Sequence, residues 1–176
     1  MSKNILTSLI SKISPPVRQG LFFGLNSGVI TTTGLLAGLA QTTNNPLLIV
    51  VSIVSLAISD GASEAFGLFI SKKAEKTKDK TEEPFNASMT LLITKAVIVL
   101  SFLLPLLFTK SLKHFKNLAW PIGWSFFLLL ILDIMLCQMR NEPLSKYLVP
   151  HIVVVGIVLA STKIFGGFID KLQKSK

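Results

Sequence analysis

Pro46–Ser71, PLLIVVSIVSLAISDGASEAFGLFIS, is 26 residues of almost unbroken hydrophobic sequence interrupted by two acids, Asp60 and Glu64. A membrane-spanning helix needs about 20 mostly apolar residues at ~1.5 Å rise each. The stretch is therefore long enough to cross a bilayer, and the acids fall inside the span. Spaced i, i+4, they project from one helical face a turn apart. A carboxylate near the bilayer centre costs roughly 2.5–3.5 kcal/mol on insertion scales, so it persists where it faces protein, water or an ion. Asp60 and Glu64 are thus the first candidates for function.

The rest of the chain follows the same pattern. Of its 176 residues 50% are hydrophobic and 15% charged, and the mean hydropathy is +0.62. A soluble domain carries nearer about a quarter charged residues. The expected fold is an all-α polytopic membrane protein with five transmembrane helices, at about 17–40, 46–71, 88–109, 118–138 and 147–170. Residues 1–16 form a separate N-terminal segment. Ile5, Leu6, Leu9, Ile10 and Ile13 recur there at helical spacing, as in an amphipathic helix lying in the interface and stopped by Pro15-Pro16. In the first span Gly20, Gly24 and Gly28 recur every four residues, a spacing that lets another helix backbone approach closely.

The net charge of +9 is not a nucleic-acid footprint, because the lysines flank hydrophobic spans, where basic residues anchor helix ends and set topology. With the N-terminus inside, ten basic residues fall on the cytoplasmic side and six on the other, which favours N-in and C-out. The single cysteine, Cys137, excludes an internal disulfide. Zinc-ligand spacing, a phosphate-loop motif and a nucleophile–base set are all missing from the sequence. Neither an enzyme nor a bound cofactor is expected.

Counting residues from the span ends gives depths. At ~1.5 Å per residue Glu64 lies about 12 Å from the inner surface, and Lys95, Asn26 and Asp133 about 10 Å. Asp60 lies one turn further out and Lys163 further still. Polar groups from several spans thus fall in one layer, which has two readings. In one, Asp60 or Glu64 pairs with Lys95 as structural glue, and the chain is a non-transporting scaffold or interaction protein. In the other, Asp60 and Glu64 bind a cation, Asn26 and Ser27 complete the site, and Lys95 and Lys163 are counter-charges. Hard oxygen ligands of this kind suit Mg, Mn or Fe(II). Burial disfavours an ionised carboxylate, so such a group can exchange a proton for a metal ion.

The residues also carry a resemblance. Gly24-Leu-Asn-Ser-Gly28-Val-Ile-Thr-Thr-Thr-Gly34-Leu-Leu, with the acidic second span ending Gly67-Leu-Phe-Ile-Ser71-Lys-Lys-Ala-Glu75, is similar to the vacuolar iron transporter family, which includes the nodulin-21-like proteins. The similarity covers about residues 17 to 76 and is architectural afterwards. It is nearest to short prokaryotic members, whose second span has an Asp-x-x-Ser-Glu/Asp segment like Asp60 to Glu64, and so implies a prokaryotic cytoplasmic membrane. The resemblance implies a homodimer with the first spans near its axis, and exchange of a divalent cation, iron or manganese, for protons. The chain departs from the family in three ways. Ser27 stands where the family's iron transporters have Asp. Glu64 and Leu68 occupy the Met and Glu positions of their Ser-Met-Ala-x-Gly-Glu-Tyr-Val-Ser segment. Lys72 to Ala87 is also too short, and too rich in lysine, to be their acidic metal-binding insert.

Overall fold

The computed structural model describes residues 10, 12–43, 45–75, 83–104 and 119–174. Among these, five helices are long and apolar enough to cross a membrane, as expected of an integral membrane protein. They are α1 (Pro15–Thr42), α2 (Pro46–Ala74), α3 (Pro84–Ser101), α4 (Ala119–Arg140) and α5 (Ser145–Lys174). Most of the N-terminal segment expected over 1–16, residues 105–109 of the third expected span and the connection over 110–117 lie outside the described residues. So do Lys76, Lys78 and Lys80 of the basic stretch.

Local chemistry sets the helix ends. Proline opens α1, α2 and α3, where its missing N–H is one the first turn cannot use and its fixed φ suits the helix. Pro15-Pro16 therefore begins the first span. Asn45 caps α2 by accepting a hydrogen bond from the Leu47 N–H at 3.0 Å. Lys72 and Lys73 in its last turn complement the negative end of the helix dipole. At the end of α4, Asn141 adopts φ 55°, and the Glu142 N–H returns to the Cys137 carbonyl at 3.2 Å. This is the 6→1 closure that a left-handed residue makes possible. The Glu142 carboxylate then ties the turn to α5, accepting from Lys146 Nζ at 2.5 Å and from the Tyr147 hydroxyl. These two hydrogen bonds, Lys146 first, hold the Glu142 carboxyl below the usual carboxylate range.

α1 is the central helix. It packs on all four others, most extensively on α3, and half of its most apolar stretch is buried, against 6% for α5. Every helix contributes to one apolar core, which includes Val29, Ile53, Val99, Leu132 and Val155. Large apolar side chains on α2 and α5, such as Ile58, Phe66, Ile164 and Phe165, point outward, as lipid-facing residues do.

The glycine ladder explains the α1–α3 contact. A Cβ at Gly20 would overlap the Ala87 carbonyl oxygen, and one at Gly24 would lie 2.7 Å from the Leu91 carbonyl oxygen. Gly28 continues the seam against Ile98 and the stem of Lys95. The spacing of Gly20, Gly24 and Gly28 suits either packing within the chain or a dimer face. The close approach is real, but the backbone that fills it is α3 of the same chain.

Candidate functional site

Three helices converge on Lys95. It is completely buried on α3, directly beside the glycine seam, so its amino group must find its partners within the protein. Its Nζ instead lies 2.5 Å from Asp60 Oδ2 and 2.8 Å from Glu64 Oε2 on α2, and donates to Ser27 Oγ on α1 at 2.9 Å. Ser27 in turn donates to Glu64 Oε1 at 2.7 Å. The ammonium, two carboxylates and a hydroxyl form one closed network. The i, i+4 spacing of Asp60 and Glu64 lets both acids reach the same ammonium.

The electrostatics of the network are unequal. Two carboxylates face one ammonium, so with all three groups ionised the cluster carries a net charge of −1. The imbalance is exposed on one side only. Lys95 has no accessible surface, whereas the side chains of Asp60 and Glu64 are 31% and 26% exposed. The acids therefore separate the ammonium from whatever borders α2. For a hard cation the site offers two carboxylates and a hydroxyl, and water would have to supply the rest of a six-oxygen shell. Among the described residues no group of three or more His, Cys, Asp and Glu side chains is placed to hold a metal.

The structure divides the expected polar layer. Asp60, Glu64, Ser27 and Lys95 come together. Asn26 does not join them; its Oδ1 is buried with no hydrogen-bond partner. Lys163 is exposed on α5 and is not among the groups that contact Asp60 or Glu64, so it is no counter-charge there. Asp133, placed at the same depth by counting, pairs with His151 of α5 instead, Oδ1 to Nδ1 at 2.6 Å. The hydroxyls of the first span are largely spent on their own helix. Thr31, Thr32 and Thr33 donate to the carbonyls of Ser27, Gly28 and Val29. Thr33 also bonds Ser125 on α4. The Asp133–His151 pair could have been found from sequence only by noticing that a tight turn after α4 folds residue 151 back beside residue 133.

No protein-family model, curated protein or solved structure matches this chain.

Proposed function

We propose that this chain is a membrane transporter that exchanges a divalent cation of the iron or manganese type for protons at the Asp60–Glu64–Lys95–Ser27 cluster. The observation that carries the reading is the excess carboxylate, two acids to one ammonium, inside spanning helices and partly open on the α2 side. Ionisable groups within a span are functional by default, because each costs free energy that packing alone does not require.

Charge balance supplies the mechanism. One proton shared by the carboxylates would bring the cluster to neutrality beside an ammonium at Lys95. A divalent ion neutralises both carboxylates by itself. Lys95 must then lose its proton or swing away, and the shared proton must leave. When Lys95 deprotonates in place, two protons leave per ion and the cluster stays neutral throughout. Ser27 follows the carboxylate, donating to it or offering its oxygen to the ion. The similarity to the vacuolar iron transporter family supports this reading, and the N-in, C-out orientation belongs to it. The homodimer implied by that similarity is also part of the proposal, and its pairing surface has to be one other than the glycine seam.

A second reading is favoured by the complete burial of Lys95. In a scaffold the same cluster would lock α1, α2 and α3 together and never open. Adding Mn(II) to purified protein in weakly buffered detergent solution separates the two. Exchange predicts proton release into the medium that is lost in Glu64→Gln. A scaffold releases no protons.

A further inference from the structure

Asp133 and His151 form an ionisable pair that the exchange cluster does not use. Asp133 on α4 is completely buried, and His151 on α5 is 16% exposed. Their contact satisfies only one carboxylate oxygen. Asp133 Oδ2 is buried and receives no hydrogen bond. An ionised carboxylate in that state is costly, because the interior offers neither water nor a donor to its second oxygen.

Helix register brings a second orphaned oxygen to the same level. α5 runs parallel to α1, since Gly34 and Gly38 meet Val158 and Thr162 in order, and the tight turn makes α4 antiparallel to both. Thr33 on α1 bonds Ser125 on α4. Seven residues, close to two full turns, separate Thr33 from Asn26, and seven separate Ser125 from Leu132. Asn26 therefore lies on the α4-facing side of α1, level with Leu132 and its neighbour Asp133. Asn26 Oδ1 is also buried without a donor. At this level two acceptors each lack a proton donor.

We propose that Asp133 is a proton-binding site within the membrane, loaded at Oδ2, while neutral His151 holds Oδ1 through its Nδ1–H. Loading takes the pair from −1 to neutral and turns Oδ2 from an unpartnered acceptor into a donor at the level of Asn26 Oδ1. The site is too small for a larger ligand. The cavity beside His151, bordered by Ser125, Leu129 and Val155, measures about 10 Å³, room for one water at most. Two side chains are also too few for a metal centre. Among the described residues the charged and titratable groups around the pair are few. On α4 they are Cys137 and Arg140, and in the turn Glu142. Lys146 and Tyr147 lie at the start of α5, and Arg18 at the start of α1. Asp60, Glu64 and Lys95 lie against another face of α1, the one marked by Ser27. The inference is independent of metal exchange, because it concerns a different pair of helices and needs no transported ion.

The chain has two histidines, so His114→Gln leaves His151 as the only imidazole. In that full-length background, infrared pH-difference spectra report the protonated-carboxyl band, and ¹⁵N ring shifts report the state of His151. The expected result is a carboxyl band that appears on acidification and is lost in Asp133→Asn, while the ring stays in its neutral Nδ1–H form through the transition. Asn26→Leu should lower the midpoint by roughly half to one pH unit, the worth of one hydrogen bond. A band unchanged in Asp133→Asn, or an imidazolium forming in the same transition, overturns the proposal. If Asp133→Asn does not fold, His151→Gln keeps the carboxyl and must shift the midpoint; an unmoved midpoint overturns it equally.

Discussion

Replacing Lys95 with methionine should damage this protein far more than replacing either acid it contacts. Methionine matches the length of the lysine stem, so the cavity left behind is small and the change is chiefly electrostatic. Removing one partner of a buried ion pair costs roughly 3–5 kcal/mol, because the other charge is left uncompensated. Here the groups left behind are two carboxylates, 31% and 26% exposed, so some of their charge is screened. That places the loss near the lower end, at about 3 kcal/mol. Glu64→Gln removes the excess charge instead. One ammonium then faces one carboxylate, and with its amide oxygen turned to Lys95 the new side chain can donate its N–H to Ser27 Oγ, so the cost should be about 1 kcal/mol or less. Combining Lys95→Met with Glu64→Gln should recover part of the loss, with a coupling of about 1–3 kcal/mol for residues in one network. Reversible unfolding in mixed detergent micelles, measured for the two single variants and the double, reads all three values. The reasoning fails if Lys95→Met is no more destabilising than Glu64→Gln, because the ammonium would then not be holding the two acids in place.

Other parts of the structure give further expectations. Gly24→Leu drives a side chain into the Leu91 carbonyl and should cost at least about 1–3 kcal/mol of overpacking, seen as a lower detergent melting temperature. A variant as stable as the wild type would mean that α1 and α3 do not pack in this way. Asn45→Ala removes the cap of α2 and should cost about 1 kcal/mol, with faster amide exchange confined to the first turn of that helix. Glu142 has a depressed carboxyl pKa in the folded turn, so its stabilising contribution is present above the unfolded value and is lost as pH falls through the folded one. Amide protection factors in the α4–α5 turn, taken against the intrinsic exchange rate at each pH, should therefore fall on acidification in the wild type but not in Glu142→Gln. Equal pH dependence in both would remove Glu142 from that role.

The second span shows how much of the fold the sequence makes legible. Its apolar run, its opening proline and its closing lysines mark both ends, and α2 begins at the expected residue and ends three residues later. Length and hydropathy are properties of one segment, so they can be read without knowing the neighbours. Partnership cannot. The spacing of Gly20, Gly24 and Gly28 announces a close backbone approach, yet nothing in it says whose backbone arrives. Depth has the same weakness. Counting residues placed Asp133, Glu64 and Lys95 in one layer, but depth is one coordinate of three, and the direction each side chain takes around its helix decides its partner. Lys95 points into the seam between α1 and α2, where the acids are. Asp133 points toward α5 and meets His151. The sequence offers Asn26 and Ser27 alike as site residues, yet only Ser27 shares the face of α1 that meets Lys95 and Glu64, and adjacent Asn26 is rotated about 100° away.

Cation flux into proteoliposomes tests the central claim most directly. Fe(II) or Mn(II) uptake should be measured with and without an imposed pH gradient, for wild type and for Glu64→Gln of matched folding and reconstitution. The account predicts uptake that depends on the gradient, moves protons the opposite way, and disappears in the variant. Well-folded wild-type protein that carries neither ion under either condition would contradict it, and the buried Lys95 cluster would then stand as the structural lock of a scaffold.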